Sequence, residues 1–272
     1  MTLRWLVFLC LWPVVIMAMA WLVQRLTKVS AWVDTLWTFS VASGLGLRLC
    51  VFSPHRLNLR GLIIMLSVGL WSLRLGGHML GRALKGKEDP RYADLLQQWG
   101  NKAGFNLFIF LQIQALASCV LIGASYAACY KANIFTDICD GVGFGLILVA
   151  LIGELIADAQ MARFSKKHAG QSAICDTGLW AWSHHPNYFF EWLMWFGLAL
   201  MATDPMHLSL SLCAWAAPVM MYILLVHVSG LPPLEAHMLR SRGAAFKAYQ
   251  SRTNGFFPWP PRKNPSSIKD KL

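Results

Sequence analysis

The sequence predicts an all-α integral membrane protein with seven transmembrane helices and a C-terminal cytoplasmic amphipathic helix. The chain of 272 residues is 56% hydrophobic and only 14% charged, whereas a soluble domain is nearer a quarter charged. Apolar segments of about 20 residues recur along it, which is the length that crosses a bilayer. Its 13 tryptophans suit anchoring at the two membrane interfaces.

Seven apolar segments carry this prediction. They cover residues 5–23, 33–52, 61–80, 105–127, 141–161, 187–203 and 208–230. The first is also compatible with a signal peptide cleaved after Ala20, which would leave six spans. We favour a retained helix, because the apolar run from Trp5 to Val23 exceeds the usual signal core.

The positive charge of the chain indicates its orientation. The net charge is +11, and most Lys and Arg residues fall in the first, third and fifth connections and in the C-terminal tail. Such an asymmetry marks the cytoplasmic side. We therefore expect an external N-terminus, a cytoplasmic C-terminus and no nucleic-acid partner, and the short loops favour a bacterial inner membrane.

The C-terminal region differs from the spans. Pro232 suits the start of a helix, and Met238, Phe246 and Tyr249 among basic residues predict an amphipathic helix on the inner leaflet. There is no convincing internal repeat. We expect one domain over residues 1–259.

Within that domain, residues 141–259 hold most of the distinctive motifs. The remaining stretch, residues 260–272, is basic and rich in Pro and Ser. It is predicted to be disordered.

Ionisable and amide side chains lie near the cytoplasmic ends of five predicted spans. They are Asp34, Arg74, His78, Glu154, Asp158, Asn187, Tyr188, Glu191 and His227. Several are spaced i, i+4, so each set shares one helix face. Because such residues normally face a bundle interior or a wet cavity, we expect a polar cavity open to the cytoplasm. The structural alternative is a set of interhelical ion pairs, such as Arg74 with Glu154.

Familiar metal and nucleotide motifs are missing. No HExxH and no histidine box occur, and the seven cysteines form no CxxC, so no metal site is predicted. The run Gly141–Gly145 reads GVGFG but opens an apolar helix without a preceding strand. We expect it to serve close helix packing rather than nucleotide binding.

Several segments together resemble one family. "GLWAWSHHPNYFFEWLMWFG" is similar to the signature G-L-[WF]-x-x-[ST]-R-H-P-N-Y-x-G-E of the DUF1295 family, which is related to the C-terminal domain of steroid 5-alpha-reductases. "VDTLW", "WSLRLGGHMLGR" with "EDPRY", "ELIADAQMARF" and "GLPPLEAHML…FKAYQSRTNGFFP" resemble further blocks of that family, in order. Two residues depart from the pattern: His184 stands in place of Arg, and Phe190 in place of Gly.

The resemblance implies NADPH-dependent reduction of an activated C=C bond in a lipophilic, steroid-like or isoprenoid substrate. It carries cofactor contacts over to Asp158, Asn187 and Glu191, and His185 and Tyr188 belong to the same block. Charge and topology add basic residues that could meet phosphates. These are Arg82, Arg91, Arg163 and Lys166.

The electrophilic group is less clear from the sequence. The steroid enzymes use a Glu–Tyr pair from their second and third helices, but the third predicted helix here has no Tyr. We expect Asp34 with Arg74 or His78 to meet the developing negative charge on a substrate carbonyl.

Two alternatives remain open. Isoprenylcysteine and phospholipid methyltransferases also carry R-H-P-x-Y and a downstream Glu, for which Glu235 would stand here, and they bind S-adenosylmethionine. A non-enzymatic membrane protein is the third hypothesis, because His184 and Phe190 depart from the family pattern.

Overall fold

The chain folds almost entirely into helices. A computed structural model describes residues 3–86, 88–131 and 137–262, with the side chains of residues 3–6 outside the description. The α-helices of this part are α1 Leu3–Thr27, α2 Ala31–Leu47, α3 Leu59–Leu84, α4 Pro90–Trp99, α5 Ala103–Ala128, α6 Ile138–Lys167, α7 Pro186–Met201, α8 Leu208–Ile223 and α9 Leu231–Arg252. Among these residues the β contact is an isolated parallel bridge between Ser183 and Asn254.

Six helical stretches are long and apolar enough to cross a membrane. Two of them continue through a π-helical turn, Arg48–Phe52 after α2 and Leu224–Val228 after α8. Large apolar side chains on these helices face outward, among them Leu66, Ile113 and Leu155. Since helices satisfy their own backbone polar groups, this surface suits contact with lipid tails.

The helix at the sixth predicted span, α7, is not among these six stretches. It has 16 residues and is therefore about 24 Å long at 1.5 Å per residue, against an apolar bilayer thickness of about 30 Å. The structure thus supports six long apolar helices, and the count of seven spans stays a prediction.

The chain divides into two compact units. The first comprises Met1–Gly145 and Phe196–Met220, and the second Leu146–Trp195 and Met221–Leu272. In the first unit α2 packs against α1, α3 and α5, and α4 packs against α5. Met17, Val33 and Leu111 lie in its apolar core together with the ring of Tyr92.

A buried arginine ties several elements of the first unit together. Nη1 of Arg60 lies 2.8 Å from Oδ1 of Asp140, and both side chains are inaccessible. Arg60 also donates from Nε to the carbonyl of Ala128 at 2.6 Å and from Nη2 to that of Met201. Arg60 therefore provides a hydrogen-bond donor to the last carbonyl of α5 and to that of α7, which lack partners within their own helices.

The second unit is organised around α9. This helix starts at Leu231, and its φ/ψ pattern is interrupted at Gly243, where φ is 48°. Phe246 and Tyr249, expected on a leaflet surface, are instead 1% and 3% exposed. They turn inward because the segment before α7 offers apolar rings and carbonyl acceptors to this face: the Tyr249 hydroxyl donates to the carbonyl of Ser183 at 3.1 Å.

The predicted disordered tail is partly described. The N–H of Arg262 donates to the carbonyl of Arg252 at 2.8 Å, so the beginning of that tail is fixed against the end of α9. Residues 263–272 lie outside the described residues.

Candidate functional site

In the first unit, Asp34 forms a carboxylate–tyrosine pair. The Tyr92 hydroxyl donates to Oδ1 of Asp34 at 2.8 Å, and Nη2 of Arg91 donates to Oδ2 at 2.6 Å. Gln114 donates from Nε2 to the Tyr92 oxygen at 3.3 Å. The carboxylate is therefore held on both oxygens, and the phenol both donates and accepts.

Helix α4 delivers these partners. Asp89 accepts from the N–H of Arg91 at 3.0 Å and Pro90 occupies the first turn, so the helix has an N-cap and a proline start. The Asp89 carboxylate also binds the Arg91 guanidinium at 3.0 Å and that of Arg82 at 3.5 Å. Burial acts to raise the pKa of Asp89, but the hydrogen bonds and charge of Arg91 with the charge of Arg82 lower it overall.

The side chains that contact Asp34 are therefore not the ones expected from the sequence. Asp34 meets Arg91 and Tyr92 rather than Arg74 or His78. His78 is exposed on α3, whereas Arg74 on the same helix is half-buried. Arg82, expected near phosphates, lies beside Asp89. Roles for Arg74 and His78 remain predictions.

The second unit contains a cavity of about 350 Å³, a size within the range of small-molecule sites of about 300–1,000 Å³. One wall comes from α9 through Leu234, Met238, Arg242, Phe246 and Tyr249. The other walls come from the end of α6, from residues 168–185 between α6 and α7, and from the first turn of α7. They include His168, Cys175, His184, His185 and Asn187. Most of the lining is apolar, with a few polar groups converging in it.

Glu235 joins two histidines of this lining. Nδ1 of His184 lies 2.8 Å and Nε2 of His185 lies 3.3 Å from Oε1 of Glu235. Gln250 donates from Nε2 to the other carboxylate oxygen at 2.8 Å. The ring of Tyr188 stacks on His185 with centroids 5.4 Å apart.

The chain end following α9 holds the two histidines in place. The N–H of His184 donates to the carbonyl of Asn254 at 2.8 Å. The Ser183 hydroxyl donates to the carbonyl of Phe256 at 2.8 Å and accepts from the N–H of His185 at 3.1 Å. The turn at His184 and His185 is thus fixed by residues about 70 positions later, which is why its geometry is not readable from local sequence.

The "ADAQ" segment supports the same turn from α6. Oε1 of Gln160 accepts from the N–H of Leu179 at 2.9 Å, and the carbonyl of Ala157 accepts from Nε1 of Trp180 at 3.0 Å. Gly178 adopts φ of 62° at the start of the turn, a conformation that glycine adopts at little cost. Two blocks of the sequence resemblance therefore make one structural element.

Two polar atoms of the cavity lining lack hydrogen-bond partners among the described residues. They are Nε2 of His184 and Oδ1 of Asn187. Leaving a buried polar atom unsatisfied costs about 1–3 kcal/mol, so both atoms favour a polar occupant. Burial also lowers the pKa of His185, against the opposing effect of Glu235, which favours the neutral imidazole.

The remaining predicted cofactor residues are distributed around this unit. Glu191 on α7 is 5% exposed and Asp158 on α6 is half-buried, whereas Arg163 and Lys166 are exposed. None of these four lines the cavity. The positive charge in the lining belongs to Arg242, whose Nε donates to the carbonyl of Ala173 at 3.0 Å.

Contacts between helices explain the Phe at position 190, where the family pattern has Gly, and the Gly at position 143. Phe190 packs on Gly153 of α6, where an added Cβ would lie 2.5 Å from the ring; the bulk of Phe190 is therefore absorbed between helices. In the GVGFG run, a Cβ on Gly143 would lie 2.6 Å from the carbonyl oxygen of Gly197, while Gly145 faces open space. Close packing, as expected, explains Gly143.

Tyr92, Gln114 and Arg242 are functional candidates that only the structure reveals. A local signal existed for Tyr92, because Asp89 followed by Pro90 is a helix start that would have placed Tyr92 one turn from Asp89. No local signal identifies Arg242, which enters the cavity through the fold of α9.

One family model matches most of the chain. The family described as "Protein of unknown function (DUF1295)" matches residues 20–253. An uncharacterized protein of Schizosaccharomyces pombe is 24% identical over 267 residues, covering 88% of this chain and 75% of the relative. No solved structure matches the chain.

Proposed function

Because the chain belongs to the DUF1295 family, we propose that it is a membrane reductase that uses NADPH to reduce the C=C bond of an enone in a steroid-like or isoprenoid lipid. The observation that carries this proposal is the pair formed by Asp34 and Tyr92, 2.8 Å apart. This pair provides a carboxylate and a phenol like the Glu–Tyr pair of the steroid enzymes. Its tyrosine lies on α4 rather than on the third predicted helix.

Tyr92 suits the task of an electrophile. When bound, NADPH supplies a hydride to the β-carbon of the enone, and negative charge then develops on the carbonyl oxygen. Rotation of the Tyr92 hydroxyl about its C–O bond can turn its proton from Asp34 to that oxygen, where a positioned donor stabilises the charge. Transfer of the phenol proton to that oxygen would give the enol, and the phenolate would take a proton from water and leave hydroxide. The enol would become the saturated ketone when its α-carbon gains a proton from water and its hydroxyl proton returns to solvent, so that one hydride and one proton are added overall.

The neighbours of Tyr92 support this role. Arg91 compensates the charge of Asp34, so a partly buried carboxylate can persist beside an apolar substrate. Gln114 donates to the phenol oxygen, so it does not compete for the hydroxyl hydrogen, which Asp34 accepts. The side chain of Asp34 is 19% exposed whereas Tyr92 is 3% exposed, so the pair is accessible from the side of the carboxylate.

Polar groups in the cavity of the second unit support its assignment to the cofactor. Arg242 offers a charge that suits a phosphate, and Oδ1 of Asn187 is an acceptor without a described partner that suits an amide or hydroxyl hydrogen. His185 lines the cavity, and the ring of Tyr188 stacks on it. We assign binding of NADPH to His185, Asn187 and Arg242, with Asp158 and Glu191 as further residues implied by the family resemblance. Glu235 is a further candidate because it lies within hydrogen-bond distance of His185.

The methyltransferase hypothesis retains one supporting observation. Glu235 lies within hydrogen-bond distance of both His184 and His185, so the histidine–proline block and the downstream Glu meet as that hypothesis requires. Binding of S-adenosylmethionine therefore needs to be measured beside that of NADPH.

Ligand titration separates the hypotheses. Purified protein in detergent is titrated with each cofactor while its unfolding temperature is followed, since a ligand that binds the folded state raises it. The expected result is stabilisation by NADPH that Asn187→Ala and Glu191→Gln weaken about tenfold, equal to about 1.4 kcal/mol, whereas exposed His207→Ala does not. A response to S-adenosylmethionine alone would favour the methyltransferase, and no response to either would favour a non-enzymatic protein.

The proposal includes an orientation. We place the chain in a bacterial inner membrane, with the N-terminus outside and the C-terminus on the cytoplasmic side, as the distribution of Lys and Arg favours. Reporter fusions at the connection between α5 and α6 and after Leu272 would report opposite sides; a shared side would contradict this topology.

A further inference from the structure

His184, His185 and Glu235 form a compact set of metal-ligating groups in the second unit. One ligand atom from each lies within 4.8 Å of the others. The two histidines are 6% and 5% exposed, and the Glu235 side chain is 22% exposed. No sequence motif indicates this set, because Glu235 lies about 50 positions from the histidines. The fold of α9 and of the chain end brings the three residues together.

Two of the three separations in this set are close to those around a metal ion, and the third, between the two histidine nitrogens, is within 4.8 Å. Ligands at 2.0–2.2 Å from a tetrahedral zinc are about 3.3 Å from one another. The two nitrogen–oxygen separations here are 2.8 and 3.3 Å. An ion can therefore replace the hydrogen bonds of this cluster by shifts of a few tenths of an ångström in these two separations.

The surroundings hold the ligands in place. Gln250 donates to Oε2 of Glu235 and thereby leaves Oε1 facing the imidazoles. Ser183 and Asn254 fix the backbone of the two histidines. Partners of this kind orient metal ligands and are part of most metal sites.

The donor set selects the class of ion. Two imidazoles and one carboxylate suit zinc and neighbouring divalent transition ions, whereas magnesium and calcium prefer oxygen ligands. Three protein ligands leave at least one position for water or another molecule, and both histidines line the cavity. Nε2 of His184, without a described partner, is a further polar atom available to such a molecule.

We propose that His184, His185 and Glu235 bind one divalent transition-metal ion, of which zinc is the probe, with an open coordination position toward the cavity. This inference goes beyond the proposed function, and its measurement needs neither NADPH nor a lipid substrate. A bound cation would add positive charge to the cavity assigned above to an anionic cofactor.

Metal content tests the proposal directly. The full chain, purified without a polyhistidine tag and stripped with a chelator, is equilibrated with Zn²⁺, passed through a desalting column and assayed for metal and protein. We expect about one zinc per chain, as for a site with three protein ligands, and no retention of Mg²⁺. His184→Ala and Glu235→Gln should weaken zinc binding at least tenfold, while His168→Ala, which removes another histidine of the cavity lining, should not.

If these variants do not fold, the X-ray absorption spectrum of the native protein still tests the proposal. X-ray absorption of the zinc-loaded protein should show nitrogen and oxygen ligands with scattering from two imidazoles. A sulfur-dominated shell would assign the zinc to cysteines and overturn the proposal. Unchanged binding in folded His184→Ala and Glu235→Gln, or retention of less than about a tenth of an ion per native chain against the single ion expected, would also overturn it.

Discussion

Phe190 occupies the space that Gly153 leaves free on the adjoining helix, and a Cβ at Gly153 would lie 2.5 Å from its ring. The two residues are complementary in size, so a change at either one should be felt at the other. This relationship accounts for an aromatic residue at a position where the family pattern has glycine.

Gly153→Ala should therefore destabilise the protein by about 1–3 kcal/mol, because a rigid ring and a helix backbone must separate. Gly145→Ala on the same helix meets nothing within 4 Å and should be neutral or slightly stabilising. The unfolding midpoint in detergent measures both. In a Phe190→Ala background the cost of Gly153→Ala should fall; equal costs in the two backgrounds would show that the residues do not interact.

Tyr92→Phe should lower the rate of enone reduction about 10²–10³-fold, the range seen when one donor to a developing oxyanion is removed. Binding of NADPH should stay unchanged, since His185, Asn187 and Arg242, to which we assign it, lie in the second unit. NADPH oxidation under saturating substrate measures the rate. Tyr130→Phe, which keeps the ring that stacks under Arg56, is the control; a Tyr92→Phe enzyme as fast as native would rule out the proposed role.

Asp89 should make stability depend on pH. Its pKa is lowered in the folded protein, so its contribution is present above the unfolded value of about 3.9 and is lost as pH falls through the lower folded value. Asp89→Asn, which can still cap α4, should cost about 1–2 kcal/mol at neutral pH through its weaker bonds to Arg91 and Arg82.

Thermal unfolding of native and Asp89→Asn protein between pH 7 and pH 3 checks this dependence. The difference between the two should shrink as the pH falls, and the comparison cancels groups that titrate alike in both. A difference that grows toward acid pH would contradict the assigned direction of the pKa shift.

Arg60→Ala should destabilise the first unit by about 3–5 kcal/mol, the cost of breaking a buried ion pair by removing one partner. The substitution leaves Asp140 with Lys131 at 3.5 Å and deprives the carbonyls of Ala128 and Met201 of their donor. Denaturant unfolding in detergent measures the loss, with exposed Lys85→Ala as the matched control. A loss of stability no larger than that of the control would show that the contacts of Arg60 do not stabilise the fold.

Hydropathy was sufficient to find the long helices because each apolar stretch of about 20 residues is a local signal. The same signal failed for α4, whose ten residues are PRYADLLQQW: they are too few and too polar for a span. It also did not show that α9 turns Phe246 and Tyr249 inward, since a helix that is apolar on one face fits a leaflet or a protein equally well.

The sequence by itself determined the membrane-helix class, the family and the residue types available for chemistry, because composition, hydropathy and short motifs are properties of contiguous residues. Only the tertiary structure decided which of those residues meet. Asp34 is joined to Tyr92 across 58 positions, and His184 to Glu235 across 51. Such contacts depend on helix packing and on the return of the chain end, and neither is encoded in the spacing of any one segment.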